Sequence, residues 1–560
     1  NAAGFECNPT LEAFYKDNDK SGPGRPGNLD MSGNVETLAT GETPQSMYTS
    51  DVKASYAGYS DAAFIVFSRM AGENYDLPRT MAEDETHHYL QLDSAEVDLV
   101  KHVCDSGFKH VIILINSSNM IDLGFIKYSD YPGLEGYNTK IDGAMIIGSV
   151  GAQGIMALGD ILNGTVNPSG HTVDTLYTKY ENDPTWQNFG NNIDGKKGDS
   201  YIVSGKQKQY YFVEYEEDIY VGYRYYETRG FVEGEDWYDK NVVYPFGHGL
   251  SYTTFDRTVT GHGSDALNAN DTFTVDVRVK NTGSVAGKDV VQLYATAPYT
   301  NGGIEKPHKV LVGFAKTKLL EPGQEDTVHI TVTPYDFASF DCYDKNGNGF
   351  KGYELEKGKY TFHVSENAHK AFDTFDKNLA DDVKFEKDPV TGVDVVARFE
   401  DADDFHDNLF TQMSRTDFAG TFPTKPTTED RTVTKEWLAE EDDYTTNNPN
   451  TYTEMPKTGT DTAWITITND DGTETKRSII LKDMIGKAYD DPMWEDYLNT
   501  LTFDDLVALF NGGSYSTAAI QHAGVPHTIS CDGPTGIVAF MGTPEVYGTT
   551  YYCSECLVAQ

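Results

Sequence analysis

The sequence predicts a multidomain chain in which α/β segments flank an antiparallel β-sandwich. Three observations carry this. Between residues 60 and 180, short apolar runs alternate with helical periodicity. From about residue 254 the apolar period becomes two, and near residue 490 helical periodicity returns. The expected division is an α/β domain over 1–253, a β-sandwich over 254–366, a connector over 367–485 and a second α/β segment over 486–560.

In the first segment, Ala62–Phe67 reads as a buried strand. Asp93-Ser94-Ala95-Glu96 is a capping-box pattern, in which an N-cap acid and the third helical residue satisfy each other's backbone N–H. It opens a helix with Val97, Val100, Val103 and Cys104 on one face, ended by Gly107. Val111–Ile115 is the next strand, and Ala144–Ile147 leads into a helix ending near Asn163-Gly164. This alternation implies a mostly parallel sheet with helices on its faces.

In the second segment, Phe273, Val275, Val277 and Val279 alternate with polar residues before the turn Asn281-Thr282-Gly283. Val290–Tyr294 follows, and Val328, Ile330 and Val332 mark another half-buried strand. Turns about every ten residues between short strands indicate a sandwich. The connector is charged and poor in pattern, apart from a hairpin at Trp464–Thr468 with the turn Asn469-Asp470-Asp471-Gly472. In the last segment, Thr502-Phe503-Asp504-Asp505 is a further capping box and Val525–Cys531 reads as a strand.

Composition narrows the function. The 560 residues carry 87 acidic and 44 basic side chains, a formal net charge of −43. Such a field repels nucleic-acid phosphates and anionic lipid, and it suits a neutral substrate. Six cysteines are too few for a disulfide framework in a chain of this length, and Cys553-Ser-Glu-Cys556 stands without a second pair or nearby histidines. No apolar run is long enough to span a membrane. The chain opens on Asn1 rather than Met and stops at Gln560 without a terminating pattern, so both ends are expected to be truncated. Cytoplasm and bacterial cell surface both remain open as locations.

Two carboxylates stand out by position. Glu73 follows the first predicted strand, in a loop with Gly72 and Pro78. Loops at the carboxyl ends of α/β strands often line ligand clefts, although position alone also fits a solvated loop glutamate. Asp532 follows Val525–Cys531 and precedes Gly533-Pro534. It could accept hydrogen bonds from adjacent sugar hydroxyls or simply form an Asx turn.

A set of ordered motifs changes this balance. Ser68–Asp76, with its core Gly72-Glu73-Asn74-Tyr75-Asp76, resembles the acid/base segment of glycoside hydrolase family 3. Asn167-Pro168-Ser169-Gly170, Glu217–Tyr226 and Tyr244–Tyr252 resemble later motifs of that family, and the alternating strands resemble its fibronectin-type-III-like domain. Leu501–Phe510, Gly524-Val525-Pro526 and Asp532-Gly533-Pro534-Thr535-Gly536 are similar to the beginning of its (β/α)8 barrel. Here the barrel motifs follow the sandwich, as in circularly permuted bacterial β-glucosidases. The resemblance therefore implies an incomplete α/β sandwich domain, a fibronectin-type-III-like domain and the start of a (β/α)8 barrel. Val150–Gly154 lacks the Pro and Glu usual in the family at that helix start.

The resemblance further implies a retaining exo-β-glycosidase, an O-glycosyl hydrolase requiring no cofactor. Its substrate would be a β-linked oligosaccharide or aryl glycoside. Glu73 would be the acid/base and Asp532 would bind sugar hydroxyls in the −1 subsite. The nucleophile, an Asp on a later barrel strand, is expected outside this chain, so the 560 residues alone are expected to be inactive. A retaining site needs its two carboxyls ~5–5.5 Å apart. Rival readings are a β-xylosidase or another specificity of the family, and a non-catalytic carbohydrate-binding or adhesion protein.

Three further features have plainer readings. Asp344-Lys-Asn346-Gly-Asn348-Gly349 matches the start of an EF-hand calcium loop, but Leu355 occupies the twelfth position and Glu354 comes one residue early. With no flanking helices evident, a polar hairpin turn is expected and no metal is assigned. Tyr223, Tyr225 and Tyr226 suit packing between domains better than a sugar platform. His248, between glycines, suits a structural turn better than a catalytic base.

Overall fold

The computed structural model describes residues 3–24, 39–69, 80–81, 87–148, 150–188, 200–203, 206–211, 215–268, 271–395, 411–425, 432–433, 464–513 and 516–530. The chain forms two compact units, one over Asn1–Val433 and one within Thr434–Tyr552.

The α/β part of the first unit is built on three parallel strands in sequential order: β1 (Ala63–Phe67), β2 (Val111–Ile115) and β3 (Gly143–Ile146). Ile65 pairs with Ile113 and Ile113 with Ala144, so the apolar runs meet in register. One face of this sheet joins a core containing Ile65, Phe67, Ile113, Phe125 and Leu134. On the other face Phe64 and Val66 are exposed, unlike the fully buried strand that the unbroken apolar run suggests. Phe5 meets Phe64 edge-on there.

The helix Ser94–Asp105 carries the expected capping box in full. The Glu96 N–H donates to Asp93 Oδ1 at 2.7 Å, and the Asp93 N–H donates to Glu96 Oε2 at 3.0 Å. Its Val100 is buried, with Val97, Val103 and Cys104 against the same core. Gly107 follows at φ +80°, where a side chain would be strained.

The sandwich closes two sheets over one core. Phe273–Asn281 lies between Glu325–Val332 and Phe255–Gly261. Opposite, the five-stranded sheet runs Val310–Lys316, Val290–Thr296, Gly358–Ser365, Ala371–Leu379, Ala266–Leu267. Val275, Val277 and Val279 point inward against Leu293, Tyr360 and Phe362, the period-two pattern made physical. Ala371–Leu379 lies in the stretch expected as connector, yet it pairs with Gly358–Ser365 from Gly358↔Leu379 to Ser365↔Ala371. Its exposed Asp373 and Asp376, and the buried but charged Lys377, dilute the apolar signal of Phe375 and Leu379. Further on, Met413 and Phe418 are buried with Tyr220 and Tyr225.

The second unit contains the expected hairpin, Trp464–Thr468 paired with Glu474–Ser478. Gly472 takes φ +79° in its turn. Phe503–Asn511 is capped by Thr502, whose Oγ1 accepts from the Asp505 N–H at 3.2 Å. Ile479, Met484, Tyr497, Leu501 and Ile520 form a small core. The strand expected at Val525–Cys531 is reduced to Thr528–Ile529, exposed and antiparallel to Ser516–Thr517. Val525 instead bridges Ile520. Among the described residues of this unit no parallel neighbour extends the strand into a barrel.

Candidate active site

In open α/β sheets, ligands bind at the carboxyl ends of the strands. At that edge β1 runs into Ser68 and Arg69, immediately before the segment that contains Glu73. Arg69 is buried, and every polar atom of its guanidinium is committed. Its Nη1 and Nη2 donate to Glu96 Oε1 and Oε2 at 2.7 and 2.8 Å, a bidentate ion pair. Nε donates to the Tyr89 carbonyl at 2.6 Å, Nη2 to the Gln91 carbonyl at 2.5 Å and Nη1 to the Ser68 carbonyl at 2.9 Å. The planar five-donor fork makes this possible, and a lysine could not replace it.

Glu96 therefore does two jobs. It closes the capping box of its helix and neutralises Arg69. Burial pushes its carboxyl upward, against the opposing pull of the Arg69 charge. A second buried carboxyl lies close by. Asp122 Oδ1 accepts from the Gly124 N–H at 2.8 Å, and the Asp122 N–H donates to the Leu90 carbonyl at 2.8 Å. Burial raises its pKa to about 7. Arg69 and Asp122 thus grip Tyr89–Gln91 from two sides. Sequence reading placed Arg69 inside a motif and Glu96 in a cap but assigned neither this pairing. Asp122 gave no signal at all, lying in an ordinary Asp-Leu-Gly string.

The family-like motifs meet one another. The Gly247 N–H donates to the Thr172 carbonyl and the Thr172 N–H to the His248 carbonyl, both at 2.8 Å. Asn167 Oδ1 accepts from Ser251 Oγ at 3.1 Å and from the Tyr252 N–H at 2.9 Å. Its Nδ2 donates to the Ala286 carbonyl of the sandwich at 3.0 Å. Gln292 Nε2 donates to the Gly247 carbonyl at 3.0 Å, clamping this turn onto the sandwich. Gly247 has φ +77°, and a Cβ there would sit 2.1 Å from Gln292 Oε1.

The tyrosines are packing residues. Tyr223 stacks on Phe246 at 4.7 Å between centroids and accepts from the Leu311 N–H at 3.0 Å, joining the helix Gly222–Glu233 to the sandwich. Tyr225 and Tyr226 are wholly buried. His248 stacks on Tyr244 at 4.7 Å, and burial lowers its pKa, as suits a neutral turn residue.

Neither of two cavities in the first unit holds a free pair of carboxyls. A pocket of about 40 Å³ beside β2 touches Ser117, Asn119 and Asp174, and is too small for a sugar ring. A cleft of about 680 Å³ between the α/β part and the sandwich is lined by His171, His248, Arg257, Asp289, Glu366 and His369. Its carboxylates Asp289 and Glu366 are both held by Arg257, at 2.7 and 2.8 Å, so they form no free acid/base pair. Glu73 and Asp532, the two candidate site residues, lie outside the described residues.

Residues 19–223 match the glycosyl hydrolase family 3 C-terminal domain and residues 289–368 a fibronectin type III-like domain. The chain thus contains this C-terminal domain of glycosyl hydrolase family 3, followed by the fibronectin-like domain. Beta-glucosidase A of Butyrivibrio fibrisolvens is 33% identical over 352 residues, covering 58% of this chain and 38% of that protein. A beta-glucosidase of Ruminococcus albus is 34% identical over 316 residues, covering 56% and 28%. The chain therefore spans well under half the length of these relatives. Among solved structures, beta-glucosidase 3B of Thermotoga neapolitana in complex with glucose is 28% identical, with a TM-score of 0.51 over 67% of this chain and 44% of that one. A beta-glucosidase from Paenibacillus barengoltzii shares the fold, with a TM-score of 0.57 at 24% identity over 94% of this chain and 50% of that one.

Proposed function

We propose that this chain is part of a retaining exo-β-glycosidase, a β-glucosidase that removes terminal non-reducing β-D-glucosyl residues. The observation that carries the proposal is the segment Ser68–Asp76, which falls inside the family 3 match and contains the anchored Arg69. The β-glucosidase names of the relatives support the sugar. The fold likeness over 94% of the chain is compatible with the multidomain arrangement of this reading.

In this reading Glu73 protonates the leaving oxygen as an Asp from the barrel attacks the anomeric carbon. Glu73 then deprotonates the water that releases the sugar. Asp532 accepts hydrogen bonds from hydroxyls of that sugar. No residue of this chain is assigned as the nucleophile. General acid/base assistance of this kind is worth roughly 10²–10⁴-fold.

The test is Glu73→Ala in a protein that also carries the barrel nucleophile. Turnover of cellobiose should fall far more than turnover of an aryl glucoside with a good leaving group, and azide should restore part of the rate. Equal loss on both substrates without azide rescue would reject the assignment.

A further inference from the structure

The EF-hand-like stretch is a polar hairpin connection, as expected, and it carries buried acidic groups as well. It joins Ser339–Asp341 to Gly352–Leu355 in an antiparallel pair, with Ser339 opposite Glu354 and Asp341 opposite Gly352. Asp341 and Glu354 are therefore diagonal neighbours on one face of the ladder. Each is only 1% exposed. Among the described residues neither forms an ion pair with a cationic side chain. The nearby Lys384 directs its Nζ to the Asn348 carbonyl instead, at 2.9 Å.

The loop itself is wound around its own interior. Asp344 accepts the Gly349 N–H on both oxygens, at 3.0 and 3.1 Å. Asn346 Oδ1 accepts the Asn348 N–H at 3.1 Å, and Asn348 Oδ1 accepts the Phe350 N–H at 2.9 Å. Asp344, Asn346, Asn348 and Phe350 are half-buried, while Lys345, Gly347 and Gly349 between them are exposed. The first, third and fifth positions of the loop thus face inward, with glycine at the sixth, as a calcium loop requires.

Glu354 is the independent observation. Its Oε2 accepts the side-chain amides of Asn346 and Asn348, at 3.0 and 2.5 Å, so the carboxylate is aimed into the loop. Its Oε1 is buried with no hydrogen-bond partner. A buried, half-satisfied carboxylate beside a second buried carboxylate is costly unless a cation completes it.

We propose that the loop Asp344–Glu354 binds one calcium ion through Asp344, Asn346, Asn348, the Phe350 carbonyl and Glu354, with Asp341 adding negative charge behind it. Each Asn would coordinate through its Oδ1, which has a second lone pair beside the one that accepts the backbone N–H, and its Nδ2 would release Glu354 to the ion. The terminal acid comes at position eleven because the chain leaves the loop as a β-strand. A strand advances ~3.3 Å per residue where the exiting helix of an EF-hand advances ~1.5 Å, so fewer residues reach across. No three His, Cys, Asp or Glu side chains converge as a metal site among the described residues. The donor set here is mixed carboxylate, carboxamide and carbonyl oxygen, which suits a hard cation that takes six to eight oxygens.

Isothermal titration of the 560-residue chain with CaCl2, after EDTA treatment and desalting, tests this. One calcium should bind per chain, with a dissociation constant of about 10⁻⁴–10⁻³ M or tighter. The unfolding transition of the sandwich should move to higher temperature in CaCl2 but not in equimolar MgCl2. Glu354→Gln keeps an acceptor for the two amides and removes the charge, and binding should be lost. Asn348→Ala, in the exposed loop, should weaken binding at least about tenfold if Glu354→Gln does not fold. Absence of calcium binding at 10 mM, or binding unchanged in whichever variant folds, would overturn the proposal.

Discussion

Arg69 and Glu96 face each other in a buried bidentate pair, 27 residues apart in sequence, with nitrogen–oxygen distances of 2.7 and 2.8 Å. The same glutamate closes the capping box of the helix behind it, so one carboxylate fixes both the helix start and the exit of β1. Removing one partner of such a pair strands a buried charge. Arg69→Met or Glu96→Gln should each destabilise the first unit by about 3–5 kcal/mol. Combined in one chain, Arg69→Met and Glu96→Gln should cost less than the sum of the single changes. Urea unfolding across the double-mutant cycle measures this, and strict additivity would mean that the two residues act independently.

Asp122 gives the molecule a pH dependence of definite sign. Its folded pKa, about 7, lies above the ordinary 3.8. Between these values the folded state holds a proton that the unfolded chain has released, so the stability Asp122 contributes is full below ~pH 4 and is lost as pH rises towards 7. Asp122→Asn keeps an acceptor for the Gly124 N–H and cannot ionise. Its melting temperature should match wild type near pH 4 and exceed it near pH 8, by an amount corresponding to at most ~4 kcal/mol. Equal melting temperatures at both pH values would show that Asp122 titrates normally.

Gly247 tests the seat of the turn on the sandwich. Alanine there would meet Gln292 Oε1 at 2.1 Å and carry a side chain at φ +77°. Overpacking and left-handed strain together should cost about 2–4 kcal/mol. Gln292→Ala in the same chain should recover the overpacking part, and thermal unfolding would report it. A Gly247→Ala protein as stable as wild type would contradict the clamp.

The parts of the fold most legible in the sequence were those with local causes. The Asp93–Glu96 and Thr502–Asp505 capping boxes, the period-two valines at 275–279 and the Asn469–Gly472 turn each depend on neighbours within a few residues. What escaped depends on distant partners. Ala371–Leu379 belongs to the sandwich only because Gly358–Ser365 offers it an edge. Among the described residues Val525 and its followers have no long strand to join, so an apolar run became a short exposed pair. The same holds for the site. The motif around Glu73 is visible as residues, but the grip of Arg69 on Tyr89, Gln91 and Glu96 is set by tertiary geometry.

That grip has a consequence for how such a chain can diversify. Arg69 holds the carbonyls of Tyr89 and Gln91, so the chain between them starts and finishes at one clasp. A changed length between the two ends should leave the sheet and the capped helix in place, provided the arginine, its glutamate and the buried Met81 are retained. Under the proposed function, exchanging the segment that carries Glu73 between relatives would test how far the clasp alone keeps the scaffold together.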